Sequence, residues 1–297
     1  MNIVYFISHP KALAYAIYEQ IGRCLPSKLY LRYYYRMRFG KPINFDNPRT
    51  FNEKLNWLKV YDHNPLYTKL ADKYLVKDYV CNVIGEKYVV PCYGCWNNFE
   101  DINFDELPNQ FVLKATHDSS GVTVIKNKRN INLIKVKKHF NRVIKRNYYY
   151  ALREWPYKNQ QPKIIADQYL EDHTSQVLQD YKFWCFNGEP LYMYFTVKGI
   201  EVYENFYDMD FNAVDINHMF PRRHPEFEKP KEFELMKTLA SKLSKDIPFV
   251  RVDFFDVDGR VYFGEFTFYD WAGMRPFDDP TWDDRLGALI KLPNKKS

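Results

Sequence analysis

The sequence has 297 residues, 46% of them hydrophobic and 27% charged, with a formal net charge of +6. That composition excludes a disordered chain and leaves room for about two domains. The positive excess is too thin for the dense basic stripe that nucleic acid requires, so small anions are the expected charged partners and nucleic acid is not.

Five cysteines, an odd number, argue against a disulfide framework and for a reducing compartment. Cys92-Tyr-Gly-Cys95 has redox or half-zinc spacing, yet no second CxxC or histidine pair follows it. No run approaches the roughly 18 apolar residues of a membrane span. His9, Pro10 and Lys11 interrupt the one candidate apolar region near the start, so no signal peptide is expected and the cytoplasm is the expected compartment. The 25 tyrosines and 23 phenylalanines suit half-buried packing, and they equally suit stacking on sugars or nucleobases.

Residues 1–84 read as helical. Leu13, Ile17, Ile21 and Leu25 recur at intervals of four and make one apolar stripe. Lys28 to Arg38 interleaves basic and aromatic residues; it suits a helix with its rings packed inward and Arg32 and Arg36 in water, or a weak contact with an anionic membrane surface or a glycan. Thr50-Phe-Asn-Glu53 is a capping box ahead of Leu55, Trp57 and Leu58. Asn64-Pro65 breaks the pattern, and one helix is predicted to hold Leu70, Ala71, Tyr74, Leu75 and Tyr79.

Strands take over from Tyr88. Phe111-Val-Leu-Lys114 and Val122-Thr-Val-Ile125 flank a polar turn, His117 to Gly121, and Asn132 to Asn147 reads as a basic helix. Lys163 to Leu170 is a strand; Asp180–Phe186 and Leu191–Phe195 flank Asn187-Gly188 and make a hairpin. Lys231 to Ser244 is an amphipathic helix, and Phe249–Phe255 with Arg260–Phe268 form a second hairpin around Asp256-Val-Asp-Gly259. Helices beside antiparallel pairs give an α+β fold class.

Three features carry chemistry. In the last hairpin Arg251 and Asp253 share one strand face, as do Glu265 and Thr267. If the strands pair, two carboxylates, a hydroxyl and a guanidinium converge, which suits Mg²⁺ with phosphate; a pair of charged surface faces fits the same pattern. Lys114 lies in an apolar strand, where a lysine is costly without an anion. The turn after it, with Ser119, Ser120 and Gly121, can fold N–H groups over phosphates or be a plain hairpin turn; no Walker A pattern exists. Asp180 and Lys182 share a strand face, as an ion pair or as a phosphate contact.

The order and content of these segments resemble the ATP-grasp superfamily, and most closely its TupA-like family from surface-polysaccharide gene clusters. The resemblance runs through Phe51–Leu58, Ala71–Lys77, Phe111–His117, Asp180–Gly188, Phe249–Phe255 and Phe263–Phe268. It implies an ATP-grasp fold, two α+β subdomains whose antiparallel sheets sandwich ATP, here at 85–172 (nucleotide-binding) and 173–297 (catalytic and metal-binding), with the helical region standing where a Rossmann-like domain is usual. By resemblance, Lys77 and Lys114 aim at nucleotide phosphates and His117, Ser119, Ser120 and Gly121 form the phosphate loop. Asp167, Gln168, Tyr169 and Leu170 form the hinge whose backbone reads adenine, with Asp in place of the commoner Glu. Asp180 and Lys182 lie near ribose or phosphate, Arg251 and Lys182 near the transferring phosphoryl group. Asp253, Glu265 and Thr267 bind Mg²⁺, with Thr where Asn is usual.

The implied reaction is ATP- and Mg²⁺-dependent joining of a carboxylate to an amine through an acyl phosphate, with a uronic acid or glutamyl carboxylate of surface-polysaccharide assembly as substrate. Two other classes stay open at this level: a glycosyltransferase with Asp256-Val-Asp258 as its DxD motif, and a non-catalytic glycan-binding protein.

Overall fold

The computed structural model describes residues 15, 18–173, 178–198, 202–222 and 227–295. Leu13 and Ile17 of the expected first stripe lie outside them; of its other members, Ile21 is exposed and Leu25 half-buried. Helix α1 (Ser27–Phe39) buries Tyr30, Leu31 and Tyr35 and exposes Arg32 and Arg36, so its rings largely face the core. It ends at Gly40, whose φ of 71° gives the left-handed C-terminal cap.

Helix α2 (Phe51–Tyr61) opens with the expected capping box, the Thr50 hydroxyl accepting from Glu53 N and the Glu53 carboxylate from Thr50 N. The single helix predicted after Pro65 is two: α3 (Pro65–Ala71) and α4 (Leu75–Ile84). The break has a local cause. Asp72 Oδ1 accepts from the backbone of Tyr74 and Leu75 at 2.8 and 2.9 Å, so its side chain supplies the acceptor that one more helical turn would have given.

Two antiparallel sheets follow. The first contains β1 (Cys92–Trp96), β2 (Phe111–Ala115), β3 (Val122–Ile125) and β4 (Ile164–Gln168) in the order β1-β4-β2-β3. Alternation along β2 and β4 sends Phe111, Leu113, Ala115, Ile164 and Ala166 to one face, where they pack on Val136, Phe140 and Val143 of α5 (Leu133–Val143). Lys114 and Asp167 therefore point to the other face. The short α6 (Tyr149–Leu152) leads toward β4.

The second sheet has six strands: β5 (Gln179–Phe186), β6 (Glu189–Lys198), β7 (Val202–Asp208), β8 (Ala213–Val214), β9 (Phe249–Val257) and β10 (Arg260–Thr267), ordered β10-β9-β5-β6-β7-β8. Both expected hairpins form. Asn187 and Gly188 (φ 52° and 90°) and Asp258 and Gly259 (φ 52° and 79°) take the paired positive φ that a two-residue hairpin with the right twist needs. One face packs Phe183 on Phe233 of α7 (Phe233–Leu243), with Phe254 edge-on to Phe183. The other buries Trp184 against Phe51 of α2 and Tyr194 of β6, with ring centroids 5.4 and 5.7 Å apart. Apolar residues of α1 to α4 and of this sheet form one core, while the first sheet and α5 form another. Helix α8 (Thr281–Leu289) returns to α2, where Asp283 Oδ1 accepts from the backbone and side chain of Asn52, both at 2.9 Å. Among the described residues no helix is long and apolar enough to cross a membrane.

Candidate functional site

The open face of the first sheet, the start of α4 and the exposed end of the second sheet enclose a cleft of about 270 Å³. Its first wall is basic. Lys77, in the first turn of α4, and Lys114, on β2, reach the two oxygens of one carboxylate: Lys77 Nζ lies 3.0 Å from Asp167 Oδ1 and Lys114 Nζ 2.9 Å from Oδ2. Register explains the convergence, since Asp167 pairs with Val112 and Lys114 stands two residues on, on the same face. Asp167 is 3% exposed, so it needs its cations. Lys73 joins them: the α3–α4 break lets its Nζ donate to Asp118 O at 3.0 Å and stand 4.0 Å from Glu265 Oε2.

The opposite wall is acidic. On β9, Arg251 grips Asp253 with two bonds, Nε to Oδ1 at 2.7 Å and Nη2 to Oδ2 at 2.8 Å. Its Nη1 donates to Asp270 Oδ1 at 2.6 Å and its Nη2 to Glu265 Oε1 at 3.3 Å. Burial works against the Arg251 charge, and Asp253, Tyr194 and Asp270 more than offset it, holding its pKa above the ordinary guanidinium value. Burial also pushes the Asp253 carboxyl up to about 6, against the pull of Arg251 and Lys182. Lys182 pairs with Asp180 on its own strand and with Asp253 across the ladder. Glu265 reaches the group because β10 bulges between Phe263 and Phe266. Gly264 sits in that bulge, where an added Cβ would lie 3.1 Å from Asp253 O.

The turn after Lys114 is fastened from below. His117 Nε2 lies 3.0 Å from Arg146 O, and Ser120 N and Oγ donate to Asp118 Oδ1 at 2.6 and 2.7 Å. Gly121 is required by packing, since a Cβ there would meet Ala115 Cβ at 2.6 Å. Burial lowers the His117 pKa below the usual imidazole value, in keeping with its place under the turn. Of this turn, Ser119 lines the cleft.

Beyond β10 the backbone passes through three consecutive left-handed residues, Trp271 (φ 45°), Ala272 (φ 54°) and Gly273 (φ 57°). For Trp271 and Ala272 this costs about 1–2 kcal/mol each. Polar side chains of α2 hold the turn: Lys59 Nζ donates to Ala272 O at 2.6 Å and Asn56 Nδ2 to Gly273 O at 2.7 Å. Both are buried (Lys59 1%, Asn56 0% exposed), and burial lowers the Lys59 pKa to about 8. Arg38 Nε adds a bond to Met274 O at 2.9 Å. The turn in turn fixes Asp270, hence the guanidinium of Arg251.

Of the residues expected from sequence, Lys77, Lys114, Ser119, Asp167, Asp180, Asp253 and Glu265 line this cleft, with Arg251 and Lys182 bonded to its carboxylates. Thr267 faces Arg251 in the β9–β10 register and is not among the lining residues. Gln168, Tyr169 and Leu170 line a second cavity of about 480 Å³, with Val257, Asp258 and Tyr262. Gln168 N is already bonded to Pro91 O at 2.9 Å. Asp256 and Asp258 are used locally, Asp256 Oδ1 accepting from Gly259 N and Asp258 from His173. Sequence reasoning gave no role to Lys73 and Asp270, both on turns, or to Tyr194, Phe255 and Phe263. A larger cavity of about 600 Å³ lies on β3 and α5, but its lining holds no carboxylate.

Among the described residues no group of three or more His, Cys, Asp or Glu side chains is arranged to hold a metal unaided. Asp253 and Glu265 are two hard oxygen donors, the number Mg²⁺ takes when phosphate oxygens complete its shell. The donor set thus fits Mg²⁺ shared with a phosphate.

No curated protein matches the chain. Among solved structures it is similar to D-alanine–D-alanine ligase from Bacillus anthracis, at 18% identity and a TM-score of 0.40, over 67% of this chain and 56% of that one. It is also similar to the ligase of the same name from Helicobacter pylori (16% identity, TM-score 0.40, 75% of this chain and 61% of that). A third is the biotin carboxylase domain of Hydrogenobacter thermophilus 2-oxoglutarate carboxylase, in complex with MgADP, ADP and bicarbonate (15%, 0.42, 76% and 47%). The chain thus spans little more than half the length of the D-alanine–D-alanine ligases it matches. The profile described as TupA-like ATPgrasp matches residues 53–291, from α2 through α8 and across both walls of the cleft, and the chain belongs to that family.

Proposed function

We propose that the chain is an ATP- and Mg²⁺-dependent carboxylate–amine ligase whose nucleotide phosphates enter the cleft between the two sheets. The observation that carries this reading is the opposite imbalance of the two walls: Lys77 and Lys114 share the one carboxylate of Asp167 with Lys73 lining the same side, and they face a wall where acids outnumber cations. A polyphosphate supplies the anion for one wall, and its metal the cation for the other.

In this mechanism Lys77 and Lys114 exchange Asp167 for phosphate oxygens, and Lys73 stands beside them. The backbone of Gln168 to Leu170 and the Tyr169 ring, lining the cavity of about 480 Å³, receive the base. Asp253 and Glu265 would hold Mg²⁺ together with phosphate oxygens, and the ion would lower the charge that a substrate carboxylate meets as it attacks the γ-phosphorus. Arg251, locked by Asp253 and Asp270, keeps its guanidinium aimed at the transferring group without reorganising. The carboxylate's attack breaks the bond to the β,γ-bridging oxygen and releases ADP; the acyl phosphate then reacts with an amine to give the amide, phosphate and a proton. A uronic acid or a glutamyl carboxylate of surface-polysaccharide assembly is the substrate class that the family resemblance supports, with the reaction in the cytoplasm.

The glycosyltransferase reading loses its motif, because Asp256 and Asp258 are bonded within their own turn and to His173. The glycan-binding reading is weakened by the rings, many of which, such as Trp184, Tyr194 and Phe206, stack inside the core. The test is product analysis. The ligase reading expects ADP and phosphate only when ATP, a carboxylate and an amine are all present. Turnover of a sugar nucleotide without ATP would replace it.

A further inference from the structure

Trp271 has a backbone conformation that a tryptophan adopts at a cost, and buried side chains from α2 hold it there. The strain does not serve core packing, since Trp271 is 43% exposed. Its ring lines a cleft of about 420 Å³ with Tyr34, Leu152, Met274, Arg38 and Arg275. Glu19 stands in the same lining. Among the described residues, Arg38 bonds through its Nε and Arg275 through its Nε and Nη2, which leaves guanidinium N–H groups on both.

An exposed indole offers a flat apolar face, suited to the C–H face of a pyranose. Two guanidiniums suit a carboxylate or phosphate, and a carboxylate such as Glu19 accepts from sugar hydroxyls. Trp271 follows Asp270 in the same turn, and the Asp270 carboxylate accepts from Arg251 at 2.6 Å.

We propose that this cleft is a binding site for a sugar ring bearing an acidic group, with Trp271 as its stacking platform and Arg38 and Arg275 as its anion contacts. That the sugar is one of the two partners to be joined rests on the ligase reading; the binding itself does not. The strained turn then has a use: it lifts the indole out of the core and couples its position to Asp270.

The experiment is calorimetric titration of the full chain, without ATP, with glucuronate, glucose 1-phosphate and glucose. At least one acidic sugar should bind, with glucose about tenfold weaker or worse. The stronger of the two acids identifies the group the arginines hold. Trp271→Gly should lose about tenfold or more in that affinity, and Trp271→Phe should keep most of it. Trp271→Gly should also melt no lower than the parent, because glycine takes the left-handed conformation without strain, and its affinity for ATP should not change. If Trp271→Gly does not fold, Arg38→Gln decides, since it should abolish the preference for acid over glucose. Binding of neither acid, equal binding of glucose, undiminished binding by Trp271→Gly, or lowered melting in both tryptophan variants would overturn the proposal. Failure of ATP to bind would count against the ligase reading alone.

Discussion

On the wall made by α4 and the four-stranded sheet, Lys73, Lys77 and Lys114 line the cleft with Asp167 as the one lining carboxylate among the described residues, and Lys73 stands 4.0 Å from Glu265 opposite; on the facing wall, Arg251 and Lys182 are shared by Asp180, Asp253, Glu265 and Asp270. Strong local ion pairs satisfy each wall in part, and each is left short of the opposite sign. Buried charges without enough partners are costly, so such an arrangement persists where a ligand completes it. One wall is short of an anion and the other of a cation, and under the proposed reading a metal–polyphosphate supplies both.

The comparison can be broken most sharply at the acidic wall. Glu265→Gln should reduce ADP release at least about 10²-fold, while the melting temperature moves little, because Glu265 is 43% exposed. Retained turnover would remove Glu265 from the chemistry. On the basic wall, Asp167→Asn leaves Lys77 and Lys114 facing each other without their counterion. Denaturant melts should show a loss of about 2–4 kcal/mol, and ATP should restore more stability to this variant than to the parent. A neutral effect would mean that the lysines are already paired elsewhere.

Lys114→Ala should weaken ATP binding about tenfold, the size expected for one charge-assisted bond, and calorimetry reads it directly. A pH dependence tests the surplus of negative charge. Burial, aided by Asp270, pushes the Glu204 carboxyl up to about 7. Between the unfolded value near 4.5 and 7 the folded state holds a proton that the unfolded chain has lost, so stability should fall as pH rises through that window. A loss of at most about 3 kcal/mol is expected, and Glu204→Gln should flatten the slope. An unchanged slope in that variant would assign the pH dependence to other groups.

Where strand alternation governs, the site could be read from the sequence. Lys114 in an apolar run and Arg251 with Asp253 follow from a period of two, and the hairpin that carries Glu265 follows from a turn that needs positive φ. The Thr50–Glu53 capping box was legible for a similar reason, since its partners lie within one turn. What escaped depends on longer reach. That Asp167 pairs with two lysines needs the β2–β4 register, which no local pattern encodes. Lys73 and Asp270 act from turns, where side-chain direction is set by tertiary contacts. Asn52, Asn56 and Lys59 look like one solvated helix face, yet they are buried because that face meets the turn after β10 and helix α8. The bulge at Gly264 also differs from the plain alternation assumed for Glu265 and Thr267.

The central claim is most directly tested by titrating ATP into the protein with and without Mg²⁺, for the parent chain and Glu265→Gln. Two incomplete walls predict that Mg²⁺ tightens ATP binding to the parent at least about tenfold, and that the variant binds ATP but loses most of this gain. Equal affinity with and without Mg²⁺ in the parent, or an undiminished metal effect in Glu265→Gln, would contradict it.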